Sequence, residues 1–239
     1  MDDMERYGDY TEYEEDQPKK KGALSTVLKI LVVVVSIIVL GVLLFRVILS
    51  GYYPKSIKQI YYNEILTEYY HKTEGNIGAK SLEVKAPYDD AKDGIFFAEN
   101  LIIIDGADQI QFTVRLNNHV FKELSEKYET DITADMISFS LYRSTSVTTE
   151  TGTKEEVETL HDVDVQVVNT DSFFMYFCYK VVCDNVQWDF SEESPDNEWL
   201  VLKIEIKGFE KDIYRITLYR NAEDQGRMKD YDLSRKEHP

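Results

Sequence analysis

Four histidines, two cysteines and a dense set of carboxylates are the side chains of this 239-residue chain that could carry chemistry. The histidines are His71, His119, His161 and His238. None is paired in an H-E-x-x-H ligand motif, and no G-x-S-x-G elbow supplies a serine nucleophile for one of them to activate. His119, beside Asn117 and Asn118, reads as a strand-end or capping residue. Cys178 and Cys183 are the only cysteines, too few for a disulfide scaffold. They lie five apart in the apolar run FCYKVVC, and an odd separation on a straight strand points two side chains to opposite faces. Two small buried thiols are therefore expected, because a bridge between them would need a turn inside the run.

With 44 acidic residues in the chain, neighbouring carboxylates arise without any function. Glycoside hydrolysis by such a pair would also call for a larger domain than the roughly 145 residues available here. For calcium, Asp89, Asp90, Asp93 and Gly94 invite comparison with an EF-hand loop. A register starting at Asp89 puts Ala91 at the third position and Asn100 at the twelfth, so the match fails. The segment with Asp184, Asp189, Glu192, Glu193, Asp196 and Glu198 offers hard oxygen ligands without fixed spacing. It reads first as a solvated acidic loop. Its flanking Trp188 and Trp199 either plug a core or form an aromatic platform for glycans. From these residues we expect no enzyme, no metal ion and no cofactor.

The element that places all of this is the run ILVVVVSIIVLGVLLF from Ile30 to Phe45, bordered by Lys29 and Arg46. Val32 through Val35 and Ile37 through Leu40 leave no polar stripe, unlike an ordinary core helix. A cleaved signal peptide would begin with a short basic segment, whereas this run follows 29 residues that include an acidic tail, and its exit RVILS lacks the A-x-A pattern. The expectation is an uncleaved single-pass membrane helix over residues 23–50. Lys19, Lys20, Lys21 and Lys29 on one flank outweigh Arg46, Lys55 and Lys58 on the other, which predicts a cytoplasmic N-terminus and an extracytoplasmic C-terminal domain.

Residues 1–22 read as a disordered, acidic cytoplasmic tail. Tyr7, Tyr10 and Tyr13 recur in it every third residue, either by chance or as a phosphorylation cluster. Ile57, Ile60, Tyr61, Ile65 and Tyr69 follow a helical period from Lys55 to Lys72 and predict a helical stalk over 51–75. Beyond it the period changes to two. Ile110, Phe112, Val114 and Leu116 alternate with polar neighbours, the mark of a half-buried strand over Gln109–Asn117. Similar patterns centre on Phe139, Val165, Ile204 and Ile216. Leu101–Ile104 and Phe173–Cys183 are apolar on both faces, as central strands are. With Leu82 and Val84 there are about eight strand candidates. Asn118 is placed to cap a short helix carrying Val120, Phe121, Leu124 and Tyr128. Ser144–Asp162 and Asp184–Glu198 read as exposed loops, and 223–239 as a polar C-terminal tail. The fold class is mainly β: an immunoglobulin-like antiparallel β-sandwich over 76–222.

The segments GADQIQFTVRLNN, ISFSLYR, FFMYFCYKVVCDNVQW and YRITLYRN resemble a group of uncharacterised single-pass membrane proteins of clostridial bacteria. The resemblance covers most of residues 95–221 and rests on strand patterns. It implies a bacterial envelope and an extracytoplasmic β-rich domain, and it transfers no functional residue. Residues 51–239 carry 21 Lys and Arg against 36 Asp and Glu, so the part beyond the anchor repels phosphate backbones and nucleic acid is not an expected partner. The expected function is a membrane-anchored binding or assembly module of the cell envelope, with an envelope protein or the cell wall as partner. The alternatives are a ligand-sensing regulator that signals through the tyrosine-containing tail, and an envelope enzyme whose site has no recognisable motif.

Overall fold

The computed structural model describes residues 23–51, 54–84, 95–149, 152–173, 175–191, 195–211 and 213–233. The backbone divides into two units, with the boundary after Gly51. In the first, helix α1 (Ala23–Gly51) runs for 29 residues. Its stretch Val27–Phe45 has the length and composition of a membrane span, and its residues are exposed along the whole stretch. At 1.5 Å per residue those 19 residues cover about 28 Å, close to the ~30 Å thickness of a bilayer's hydrocarbon core.

The second unit opens with two short helices, α2 (Lys55–Lys58) and α3 (Glu64–Lys72). Strands β1 (Lys80–Leu82), β2 (Phe96–Ile104) and β3 (Gln109–Asn117) follow. Helix α4 (His119–Tyr128) leads to β4 (Ile137–Thr149), β5 (Gly152–Thr159), β6 (Asp164–Phe173) and β7 (Tyr176–Asp184). The chain continues through β8 (Glu198–Ile206), β9 (Ile213–Arg220), the single turn α5 (Asn221–Asp224) and β10 (Lys229–Asp230). One sheet has the order β10-β1-β2-β3-β7-β6 and the other β5-β4-β8-β9. Every pairing is antiparallel.

The core is built from the inward rows of both sheets. Ile110, Phe112, Val114 and Leu116 of β3 and Tyr179, Val181 and Cys183 of β7 meet Leu200, Leu202, Ile204 and Ile206 of β8. Val120 and Leu124 of α4 close the same core. The period-two pattern thus places each apolar row where it can be buried, at about 25 cal/mol per Å² removed from water.

The structure departs from the sequence expectations at six points. The stalk helix from Lys55 to Lys72 is broken between Gln59 and Asn63. Part of its apolar side-chain set is covered within the β unit, with Ile57 and Leu66 fully buried, whereas Tyr61 and Ile65 stay exposed. Strand β3 is buried on both faces, because that segment covers its polar row. The loop expected over Ser144–Asp162 instead carries the β4–β5 hairpin, whose threonines and valines favour a strand even though β5 is exposed throughout. The single strand expected over Phe173–Cys183 is two strands, turning at Met175. The tail contributes β10, which pairs with β1, and Tyr231 and Leu233 pack under α3 on a small second cluster with Ile102 and Ile104. Asn118 precedes α4, but its side chain makes no capping hydrogen bond.

Candidate functional site

The described feature with the most organised polar chemistry is the outer face of the six-stranded sheet, where residues 54–79 lie. Alternation along β3 sends Gln109, Gln111 and Thr113 outward, opposite the core row, and all three are fully buried. On the neighbouring β7 the outward row is Cys178, Lys180, Val182 and Asp184, also buried.

The Gln111 carboxamide reads the backbone of Tyr61 from both sides. Its Oε1 accepts from the Tyr61 amide at 2.8 Å, and its Nε2 donates to the Tyr61 carbonyl at 2.7 Å. The second Nε2 hydrogen goes to Gln109 Oε1 at 2.8 Å. Gln109 in turn donates to Asp184 Oδ1 at 2.6 Å and to Asn63 Oδ1 at 3.1 Å. Asn63 completes the ring by donating to Asp184 Oδ2 at 2.8 Å, while its Oδ1 caps α3 by accepting from the Leu66 amide at 3.0 Å. Thr113 donates to the Ile57 carbonyl at 3.3 Å. Both glutamine amide groups therefore spend all their hydrogens within this network, as buried carboxamides must to avoid a desolvation cost.

Helix α3 sits on the apolar part of the same face. Leu66 and Tyr69 pack with Ile77, Ile102 and Ile104. Tyr69 approaches Gly106 so closely that a Cβ there would lie 2.0 Å from its hydroxyl, which explains a glycine at that turn. At the other end of the face Arg115 is stacked between Phe97 and Tyr176, at 5.3 and 4.5 Å from the ring centroids, and paired with Glu99 at 2.8 Å.

The residues singled out from the sequence are scattered. His71 is on α3, His119 on α4 and His161 in the β5–β6 turn, all exposed, and His119 faces Glu123 at 3.4 Å. His238, Asp89, Asp90, Asp93, Gly94, Glu192, Glu193 and the three N-terminal tyrosines lie outside the described residues. Cys178 and Cys183 are buried, unbridged and on opposite faces of β7, as their odd spacing implies. Burial, with Asp184 and Asp164 nearby, pushes the Cys183 thiol well above its ordinary range, which suppresses the nucleophilic thiolate.

The acidic segment divides among separate tasks. Asp184 is in the amide network, Asp189 accepts from the Ser191 amide, and Glu198 faces Arg143 at 3.8 Å. The Ser191 hydrogen bonds hold the Asp189 carboxyl below its usual range. Among the described residues no three His, Cys, Asp or Glu side chains are gathered to hold a metal ion. Trp188 is a core residue whose indole donates to Asn221 at 3.2 Å, with Arg143 over its ring at 5.2 Å. Arg220 covers Trp199 at 5.3 Å. Each ring thus has a guanidinium over one face.

The amide network was not foreseen from the sequence. Its only signal is the Q-x-Q-x-T row of β3, which has the same pattern as a solvated strand face. No family model, curated protein or solved structure matches the chain. The arrangement defines a β unit that grips its own N-terminal segment through backbone recognition, and in chain order it follows an apolar helix of membrane-spanning length.

Proposed function

We propose that the chain is a single-pass membrane protein of the bacterial cell envelope, whose extracytoplasmic β unit binds or assembles with an envelope or cell-wall partner and performs no chemistry of its own. One observation carries this reading: an apolar helix with no protein cover stands three residues ahead of the first described residue of a β unit. The basic N-terminal flank supports a cytoplasmic N-terminus. The envelope setting is taken from the resemblance of the strand segments to clostridial single-pass proteins.

The finer fold reading is an immunoglobulin-like sandwich, and strand order supports it. Taking β2 to β9 as A, B, C, C′, D, E, F and G, the sheets read A-B-E-D and C′-C-F-G. The departure is that both cysteines lie on β7, so the B–F disulfide of antibody domains has no counterpart. Such a fold hosts many functions, and the assignment to binding rests on placement.

Protease added to intact protoplasts tests the reading. A C-terminal tag is expected to be removed while an N-terminal tag survives. The reverse pattern would place the β unit in the cytoplasm and overturn the proposal.

A further inference from the structure

We propose that the free edge of β5 is a docking site for an extended, lysine- or arginine-rich segment of a partner protein, which adds to the smaller sheet as a further strand. The inference gives a surface to the binding role proposed above and rests on that reading for its setting alone. The sheet orders leave β10, β6, β5 and β9 at edges. An unpaired edge recruits other strands, and all of these except β5 are guarded against it by their backbone. Strand β10 is only two residues long. Strand β6 carries an extra residue, Val168, between its pairings to Val181 and Lys180, and β9 carries Leu218 between its pairings to Val201 and Leu200. Bulges of this kind bend an edge and interrupt its ladder. At the end of β9 the Arg220 amide is also taken by Asp224 at 2.9 Å. Strand β5 has none of these devices: its eight residues are all exposed and run in unbroken register with β4.

The direction of the β5 backbone groups follows from two hydrogen bonds of β4. Ser146 donates its amide to the Asn197 carbonyl at 2.9 Å, on the β8 side, whereas the Leu141 carbonyl accepts from Leu160 at 3.1 Å, on the β5 side. Both backbone groups of a strand residue point to one edge, and the next residue's point to the other. The pairs that exchange hydrogen bonds are therefore Arg143 with Glu158, Thr145 with Glu156 and Val147 with Lys154. Thr153, Glu155, Val157 and Thr159 turn their amides and carbonyls away from β4, toward the open edge.

The side chains decide which strand fits there. Glu155, Glu156 and Glu158, against Lys154 alone, put acid on both faces of the sheet because neighbours alternate. A second copy of β5 laid alongside would set glutamate against glutamate, which opposes pairing, whereas lysine or arginine in the same place favours it. Residues 51–239, with 36 acidic and 21 basic side chains, likewise repel another copy at longer range and draw in a cationic partner. Val157, 50% exposed, offers an apolar contact between the charges. Backbone hydrogen bonds supply the attachment and side-chain charge supplies the choice, as in other cases of strand addition.

The experiment uses the full chain in detergent micelles with a fluorescent peptide, VKVKKTVT, and its glutamate counterpart, VEVEETVT. Binding is read by anisotropy and the β5 amides by hydrogen exchange. The lysine peptide is expected to bind at least about tenfold more tightly than the glutamate peptide and to slow exchange at Glu155 and Val157 by at least about tenfold. Val157→Pro removes an outward amide but no hydrogen bond to β4, and is expected to weaken binding about tenfold or more. Glu156→Lys keeps every backbone group and is expected to weaken binding about threefold or more, so the test does not depend on how the proline variant folds. Equal affinity for the two peptides would overturn the proposal. So would binding that leaves β5 exchange unchanged or that neither variant weakens, since that is attraction to the acidic surface at large. Protection of β5 that rises with protein concentration in the absence of peptide would give the edge to a second copy and overturn it too. None of these readouts depends on membrane orientation, so their failure is distinct from failure of the protoplast test.

Discussion

Tyr219 shows how a single polar atom can be tested against the packing around it. Its ring is fully buried against Phe190 at 5.1 Å, and its hydroxyl finds no hydrogen-bond partner among the described residues. Burial first, then Asp224 and Asp189, pushes the phenol up to about 12. A raised phenol means that the unfolded chain loses its proton first. Stability is therefore whole below the ordinary tyrosine pKa of about 10 and falls as pH climbs toward 12. Tyr219→Phe is expected to leave neutral-pH stability unchanged or slightly higher, since an orphaned hydroxyl is removed, and to blunt the alkaline loss. Urea unfolding at pH 7 and pH 11 reads both effects; a large loss at pH 7 would show that the hydroxyl has a partner. At this scale the sequence is legible for apolar side chains and opaque for polar ones. Ile110 through Leu116 announce their buried face by alternation, whereas Gln109, Gln111 and Thr113 look like solvated residues. Only the covering segment, supplied from some fifty residues away, makes them interior.

Elements were recognisable where burial imposed a pattern and hidden where pairing alone holds them. Strand β3 has the bounds that alternation predicts, Gln109–Asn117, because one face must meet the core. Strand β5 is exposed along its length and pairs with β4 alone, so no apolar period marks it. Strand β10 is two residues fixed by an edge rather than by its own composition. The stalk period matched only in part: Ile57 and Ile60 are buried and Tyr69 packs on the second cluster, but Tyr61 and Ile65 stay exposed and the helix is broken between Gln59 and Asn63. A graded stability follows, since local opening tracks burial and the number of partners. Amides of β5 are expected to exchange with deuterium at least a hundredfold faster than those of β3 and β7, which are paired on both sides. Equal protection across the two sheets would mean that the β4–β5 hairpin is covered by something outside its own pairing.

For the whole molecule, the division into an apolar helix and a β unit was the most legible feature, because a run without a polar stripe has few soluble solutions. Strand order was not legible, since alternation says which face is buried and not which strand is the neighbour. The account stands on α1 being a span, and alkaline carbonate extraction of native membranes tests that most directly. The unaltered chain is predicted to stay with the bilayer pellet, while Leu40→Asp combined with Val42→Asp releases it, because a carboxylate within the span is costly, about 3 kcal/mol at the bilayer centre and less toward its edge. Recovery of the intact, unaltered chain in the carbonate supernatant would contradict the account.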